Sequence, residues 1–312
     1  MSLRTIDSFI TTVDPNKATV VSFAEFIAVF GSDISIKDRK SPPLSKRDAF
    51  YWWIKDQRSE LQELILLPES YNDWGEFDVY SDLLLFEKDL GYLTSAVMIF
   101  LESPGSIAEL GAFSQIESLS ERLIIVVADN YHPARSFISL GPIRSISETQ
   151  KHPHSLCVIP NVGPEELIKH MAVIDHFLTN KIKPKSLTVH LDKSHLQHQI
   201  LLCLDFINLF LVVQKTELMM LLKHFGIELN LSRLNQILFL LNKTKLIISK
   251  QYGDNWYYAP LKFKKIYIDY TSKVPGSSFK REKLKAQIWA EIQNDDYRRY
   301  VYESTSKYED EK

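Results

Sequence analysis

The chain has 312 residues, of which 45% are hydrophobic, and its formal net charge is −2. A length of about two typical domains and an apolar fraction sufficient for two cores predict a globular, two-domain protein. The two cysteines, Cys157 and Cys203, lie far apart without Cys-x-x-Cys spacing, which excludes a disulfide framework and predicts a reducing, cytoplasmic compartment.

The small net charge conceals an uneven distribution of charge along the chain. Residues 60–121 contain thirteen Asp and Glu but one Lys, whereas residues 243–285 contain eleven Lys and Arg but three Asp and Glu. This pattern indicates either that the two halves face different partners, the basic half a polyanion, or that the two halves dock on each other.

Residues 1 to 20 are polar and weakly helical, which is typical of an interaction arm. Beyond them, short apolar runs alternate with amphipathic segments. The runs predict strands at 26–33, 63–68, 96–101, 123–128 and 156–160, and the amphipathic segments predict helices at 49–61, 82–93, 104–120 and 165–178. This alternation predicts an α/β domain with a parallel, Rossmann-like sheet over residues 1–180, with its ligand site at the carboxyl ends of the strands.

A second domain is predicted over residues 181–312, beginning with a linker at 181–186. Helices are expected near 194–214, 216–225 and 232–242, followed by two strand-like arms within 246–260 around a Gly-Asp-Asn turn. Helix, turn, helix and hairpin is the order of a winged helix. The apolar run at 200–213 is interrupted by Asp205 and Asn208, so we predict a buried helix and no membrane span.

Basic and aromatic residues are interleaved in this second domain. The basic candidates for nucleic-acid or partner binding are Arg233, Lys243, Lys245, Lys250, Lys262, Lys264 and Lys265. Tyr252, Trp256, Tyr257 and Tyr258 stand among them, and they serve either as stacking platforms for bases or as the core of the hairpin.

The segment ESPGSIAELGAFS, residues 102–114, follows a buried strand and opens a helix, so its free backbone N–H groups face the predicted crevice and favour an anion. Glu102 ends the strand and Glu109 lies about one turn into the helix. Two carboxylates at one sugar can share the catalytic work at an N-glycosidic carbon. The alternative is structural, because Ser106 and Glu109 also fit a Ser-x-x-Glu capping box without chemistry.

Three segments carry a family resemblance: ESPGSIAELGAFS at 102–114, RSFISLGPIR at 135–144 and LLLFE at 83–87. Together they resemble the nucleoside deoxyribosyltransferase-like effectors encoded beside bacterial retron reverse transcriptases. The family's layout, a transferase-like domain followed by a winged helix, covers almost the whole chain.

The resemblance implies roles for single residues. Glu109 is the implied nucleophile, since the family's Glu-x-Gly stretch matches Glu109 to Gly111. The implied substrate-binding turns contain Gly31, Ser32, Ser103, Gly105 and Ser106. The family often has Asp at the position of Ser95, and the nearest substitutes are Asp78 and Asp82, either of which is otherwise a solvated or helix-capping residue.

The implied activity is cleavage of an N-glycosidic bond in a nucleotide, with NAD as the leading substrate and no separate cofactor. NAD depletion would arrest growth of a phage-infected cell. The implied partners are the reverse transcriptase and its multicopy single-stranded DNA with linked RNA, and a higher-order assembly is compatible with this family. The alternative function is a nucleic-acid-binding regulator whose first domain senses a nucleotide without cleaving it.

Other polar residues give weaker indications. Arg135 and Arg144 frame the second motif and would either hold phosphates or pair with the acidic region. The histidines at 152, 154, 190, 195 and 198 lack partner cysteines and His-Glu-x-x-His spacing, so we predict no metal site.

Overall fold

The computed structural model describes residues 3–23, 25–68, 79–130, 136–147, 154–183, 188–261 and 265–310. The chain divides into two units. We call residues 24–75 and 82–185 the α/β unit, and residues 1–23, 76–81 and 186–312 the terminal unit.

The strands in chain order are β1 Val13–Val20, β2 Phe26–Phe30, β3 Ile65–Leu66, β4 Thr94–Phe100, β5 Leu123–Ala128, β6 Leu156–Ile159, β7 Val189–His190, β8 Val213–Gln214, β9 Ile247–Tyr252, β10 Asn255–Pro260 and β11 Ile268–Ser272. The α-helices are α1 Arg4–Thr12, α2 Lys46–Gln57, α3 Ser59–Gln62, α4 Leu83–Gly91, α5 Pro104–Phe113, α6 Glu117–Ser120, α7 Arg144–Ser147, α8 Pro164–Leu167, α9 Met171–Lys181, α10 Leu196–Phe210, α11 Lys215–His224, α12 Leu231–Lys243, α13 Arg281–Gln293 and α14 Asp296–Asp310. A π-helical turn, Ser139–Ile143, precedes α7, and a 3-10 turn, Ile168–His170, joins α8 to α9.

The α/β unit contains the predicted parallel sheet. Its five strands lie in the order β3-β2-β4-β5-β6, and all neighbouring pairs are parallel. Every side chain of β2 and β5 is buried, as expected for strands covered on both faces. On β2, Ile27 and Val29 face a cluster with α2 and α9, whereas Ala28 and Phe30 face a cluster with α5. The prediction of an α/β fold with a parallel sheet is therefore confirmed.

The element boundaries differ from prediction where polar side chains cap helices. Helix α2 begins at Lys46, earlier than predicted, because the Ser45 side chain accepts a hydrogen bond from Asp48 N. The predicted helix 104–120 is divided into α5 and α6. The Ser114 hydroxyl donates to Gly111 O near this break, an alternative bond that disfavours continued helix.

The terminal unit contains two antiparallel sheets, with strand orders β11-β1-β7 and β8-β10-β9. In place of the predicted arm, residues 4–20 form α1 and β1, which belong with the C-terminal part of the chain. Phe9 is 1% exposed and its ring contacts those of Phe206, Phe210 and Tyr270. The domain interpretation 1–180 thus differs from the observed units, because α1 and β1 find their apolar and strand partners beyond residue 186. Within the described residues, no helix is both long enough and apolar enough to cross a membrane.

Candidate active site

The candidate site lies at the carboxyl ends of β2 and β4. From β2 the chain first adds β3 on one side and then β4 on the other, so a topological switch point lies between β2 and β4. In open α/β sheets such a point is where ligands bind. The turns here carry Gly31 and Ser32 after β2 and Glu102 and Ser103 after β4, so the sheet brings these four predicted residues to one edge.

The turn after β2 is packed so closely that it requires glycine. A Cβ on Gly31 would lie 2.9 Å from Arg47 Cδ and 3.1 Å from Phe100 Cβ. Arg47 is 1% exposed, and its Nη1 donates a hydrogen bond to Ser32 O over 3.2 Å. The backbone of this turn is therefore held by a buried guanidinium that the sequence patterns did not single out.

Glu102 accepts hydrogen bonds from the beginning of α2. Its Oε2 accepts from Lys46 N over 2.9 Å, and its Oε1 accepts from Arg47 N over 3.0 Å and from Ser32 N over 3.5 Å. Unpaired N–H groups and the helix dipole favour an anion at this place. Both carboxylate oxygens thus bind the beginning of α2, and Oε1 also joins the turn after β4 to the turn after β2, an arrangement suited to positioning.

Helix α5 begins with a capping box made of two serines. The Ser103 side chain accepts from Ser106 N over 3.2 Å, and Ser106 Oγ accepts from Ser103 N over 3.2 Å. Pro104 occupies the first turn, where its missing N–H costs nothing. Ser106 is fully buried, so its hydroxyl serves the turn, whereas Gly105 is exposed.

This cap tests the structural alternative for Glu109, in which Ser106 and Glu109 would form the capping box. Because Ser103 is the N-cap and Ser106 closes the box, the pairing of Ser106 with Glu109 as a capping box is wrong. Glu109 lies in the second turn of α5, beyond the residues that cap it. Its side chain is half-buried and its Oε2 atom is buried. The helix start therefore does not account for this carboxylate.

The sequence offered Asp78 and Asp82 in place of the Asp that the family often has at position 95. Asp82 is exposed and caps α4, with its Oδ1 accepting from Leu85 N over 2.8 Å, which is the capping role given as its alternative. Asp78 lies outside the described residues. Ser95 lies at the amino end of β4, about 17 Å of strand away from Phe100 at 3.3 Å per residue. A side chain at position 95 is thus at the opposite edge of the sheet from the turns described above.

The second motif lines a cavity of about 730 Å³ beside α5. Arg144 and the exposed Phe137 line it together with Gly111 of α5 and Gln115, which follows α5. At 100° per residue, Glu109 points about 160° away from Gly111 around the helix. Arg144 therefore lies beside the Gly111 face of α5, whereas Glu109 is on the other face of that helix. Arg135 lies outside the described residues.

A further residue of the site, Asp48, escaped the sequence interpretation. It is fully buried, and its carboxylate accepts from Ser35 N over 3.0 Å and from Leu44 N over 2.9 Å. Trp52 Nε1 adds a bond to Ser35 O. These contacts fix the predicted loop 34–45 onto α2, and the Ser-x-x-Asp spacing of Ser45 and Asp48 was the available signal.

The basic candidates of the terminal unit lie on and after α12. Arg233 Nη1 donates to Gln236 Oε1, Lys243 Nζ lies 5.3 Å from the Phe239 ring centroid, and Lys245 is exposed after α12. Lys250 on β9 and Lys265 before β11 are half-buried, whereas Lys262 and Lys264 lie outside the described residues. The described basic candidates thus occur on several elements of the terminal unit.

The four aromatic residues of the hairpin differ in burial. Tyr257 and Tyr258 are buried, and burial raises the pKa of Tyr258, so they form hairpin core. Tyr252 and Trp256 remain 47% and 42% exposed.

His198 and the two cysteines are buried. His198 Nδ1 accepts from Asp192 N, and burial lowers the His198 pKa. Burial raises the pKa of both Cys157 and Cys203 to about 12, so neither is a thiolate near neutral pH. Over the part of the chain that the structure describes, His, Cys, Asp and Glu form no group of three or more that could hold a metal.

These features define a protein of two units, an α/β unit with a topological switch point in its parallel sheet and a unit of helices and antiparallel strands. The family model of the STM3845 retron effector protein matches residues 43–250, which is more than half of the chain. The chain therefore belongs to the STM3845 retron effector family, and the retron effector resemblance is confirmed.

Two relatives from Escherichia coli are similar over shorter segments. The "Retron Ec86 putative ribosyltransferase/DNA-binding protein" is 44% identical over 62 residues, which is 20% of each chain. The "Retron Ec73 putative ribosyltransferase/DNA-binding protein" is 39% identical over 82 residues, which is 26% of each chain. The matches thus span about a fifth to a quarter of these relatives.

Proposed function

We propose that the α/β unit of this retron effector cleaves the N-glycosidic bond of a nucleotide, with NAD as the substrate and nicotinamide and ADP-ribose as the products. The observation that carries the proposal is the serine capping box of α5, which leaves the half-buried Glu109 carboxylate unexplained by the helix start. The ribosyltransferase names of the two relatives support the same chemistry.

In this mechanism Glu109 attacks or electrostatically stabilises C1′ of the ribose. The bond from C1′ to the ring nitrogen breaks, and its electron pair neutralises the cationic nicotinamide, which needs little acid help to leave. Water then bonds to C1′ through its oxygen and releases one proton. Any bond formed between Glu109 and C1′ breaks in this step and its electron pair returns to the carboxylate, which completes hydrolysis.

The other residues of the turns position the substrate. We assign Glu102 to hold the beginning of α2 against the site, since α2 amides donate to both of its oxygens. The exposed Gly105 backbone and the turns at Ser32 and Ser103 then face the ribose and phosphates, as N–H groups at a helix start suit anions.

We assign the terminal unit a winged-helix fold that tethers the effector to the retron reverse transcriptase and its multicopy single-stranded DNA with linked RNA. The order α10, β8, α11, α12, β9, β10 with sheet order β8-β10-β9 supports this fold. The DNA-binding part of the relatives' names supports the tether. In a cell, release of the activity on infection would deplete cytoplasmic NAD and arrest growth.

The test is nicotinamide release from NAD by the purified chain, alone and with the reverse transcriptase and its DNA. We expect Glu109→Gln to lower the rate at least about 100-fold, because it keeps the shape and removes the charge that stabilises C1′. Glu121→Gln is the matched control, since Glu121 is exposed just before β5, at the amino edge of the sheet. The absence of release under every partner condition would contradict the enzyme and favour the nucleotide-sensing regulator.

A further inference from the structure

The loop between β2 and α2, residues 33–45, is closed on itself by side chains. Ser45 Oγ donates a hydrogen bond to Asp33 O over 2.7 Å, so the first and last residues of the loop are joined. Ile34 and Ile36 pack against the core cluster that contains residues of α2 and α9. Compact loops whose ends lie close together are frequently functional. This loop leads directly from the turn after β2 to the beginning of α2, so it connects two parts of the candidate site.

Asp48 is the centre of this closure. Its fully buried carboxylate accepts from Ser35 N over 3.0 Å and from Leu44 N over 2.9 Å, near opposite ends of the loop. Ser35 Oγ adds a third hydrogen bond over 3.1 Å. Hydrogen bonds to an ionised acceptor are roughly twice as strong as bonds between neutral groups. One carboxylate therefore holds both ends of the loop against the first turn of α2.

The same turn of α2 contacts Glu102. Ser45 Oγ accepts from Asp48 N over 2.9 Å and so caps the helix. The amides at the two positions after Ser45 donate to Glu102, whose Oε1 also accepts from Ser32 N. Asp48 thus fixes the loop and the cap, and the capped amides orient Glu102 against the turn that carries Ser32.

We propose that Asp48 is a positioning residue of the candidate active site, which holds the turn after β2 in the geometry that binds the ribose and phosphates of the substrate. The inference rests on the proposed function, because that function supplies the substrate. Asp48 acts through the loop and Glu102, since its own carboxylate is buried and engaged with loop amides. Loss of this anchor weakens binding of the substrate and of the transition state alike, so KM rises while kcat changes little.

The experiment measures the kinetics of nicotinamide release under the partner condition in which the wild type is active. Asp48→Asn places an NH₂ group opposite a loop amide, and we expect KM to rise about tenfold with kcat within about threefold. Glu109→Gln should instead lower kcat. Asp205→Asn is the matched control, because Asp205 is equally buried and accepts from the amides of Tyr267 and Ile268, but in the terminal unit. It should leave KM unchanged.

A milder pair of variants serves if Asp48→Asn does not fold. Trp52→Phe removes the Nε1–H bond to Ser35 O and keeps an aromatic ring at this position. Trp53→Phe is its matched control, because Trp53 is the next residue of the same helix and packs against the core cluster. We expect KM to rise about threefold in Trp52→Phe and to stay unchanged in Trp53→Phe.

Residue-resolved hydrogen exchange separates this inference from the proposed function. In Asp48→Asn the amides of Ser32 and Arg47 should exchange about tenfold faster, while those of the buried strand β5 keep their rates. Unchanged exchange at Ser32, or a lower kcat at unchanged KM, would overturn the positioning role. Faster exchange at Ser32 in a protein that never releases nicotinamide would support the hold of Asp48 on the turn and contradict the glycosidase.

Discussion

Glu102 and Glu109 belong to one motif but have different surroundings. Glu102 accepts hydrogen bonds from backbone amides, whereas Glu109 lies in the second turn of a helix capped by two serines. The sequence predicted both carboxylates at one edge of the sheet but could not decide which serine is the N-cap of α5. Ser103 and Ser106 are both good N-caps, and only the point where β4 ends, at Phe100, places the helix start at the first of them.

The role of Glu102 leads to a stability prediction. In Glu102→Gln the charge at the beginning of α2 is lost, and the new NH₂ group cannot accept from Lys46 N or Arg47 N. We expect the free energy of unfolding to fall by about 1–2 kcal/mol, measured by urea denaturation. Glu121→Gln, at an exposed position, should change it by less than about 0.5 kcal/mol. Equal stability of the two variants would show that the carboxylate does not hold α2.

His198 predicts a pH dependence of stability. Burial and the nearby His195 lower its pKa, while Asp192 opposes this, so the folded protein binds a proton less readily than the unfolded chain. The stability that the folded protein gains from His198 is therefore fully present above the pKa of about 6.5 that the residue has in the unfolded chain. It is lost as the pH falls toward the lower pKa of the folded protein.

The measurement is the free energy of unfolding at about pH 7.5 and pH 5.5. The wild type should lose more stability on acidification than His198→Asn, whose Oδ1 can still accept from Asp192 N. An identical loss in both proteins would assign the pH dependence to other groups.

At the scale of elements, the apolar strands were the most predictable features. Runs such as Leu123–Ala128 are wholly apolar and rich in β-branched residues, and they form buried strands as expected. The short strand β7 was missed, and α1 was predicted only as part of a weakly helical arm, because the stability of both comes from partners far along the chain. For α1 these partners include Glu291, which accepts from the first amides of the helix.

The buried ion pair of Arg298 and Glu217 ties α14 to α11. The two side chains are 0% and 1% exposed, and Arg298 donates to both carboxylate oxygens over 3.0 and 2.8 Å. Arg298→Met would leave the Glu217 charge buried without its cation. We expect a loss of about 3–5 kcal/mol in the free energy of unfolding.

A double-mutant cycle tests this assignment. Adding Glu217→Gln to Arg298→Met removes the uncompensated charge, so the double variant should be more stable than Arg298→Met alone. Strictly additive losses, measured by denaturant unfolding, would show that the two side chains contribute independently.

At the scale of the whole molecule, local periodicity could not reveal how the chain divides. β1 pairs with β11, with Val13 opposite Ser272 and Val20 opposite Ile268, and no pattern in a short window reports such a pairing. Residues 76–81 likewise belong to the terminal unit although the α/β unit lies on both sides in sequence. Tyr80 donates to Gln236 O and packs its ring against Phe239 of α12.

This division predicts how fragments behave. A fragment of residues 1–180 keeps α1 and β1 but loses β11, α10 and α13, so Ile6, Phe9 and Val20, now at most 1% exposed, would face solvent. Each such side chain costs about 1.5–3 kcal/mol when exposed. A fragment of residues 24–185 omits α1 and β1 and retains all five parallel strands. We expect the shorter fragment to be the more monodisperse on gel filtration and to bind less of the hydrophobic dye ANS. If the 1–180 fragment were instead the better-behaved one, residues 3–23 would have to find partners within the α/β unit, contrary to the strand pairing observed here.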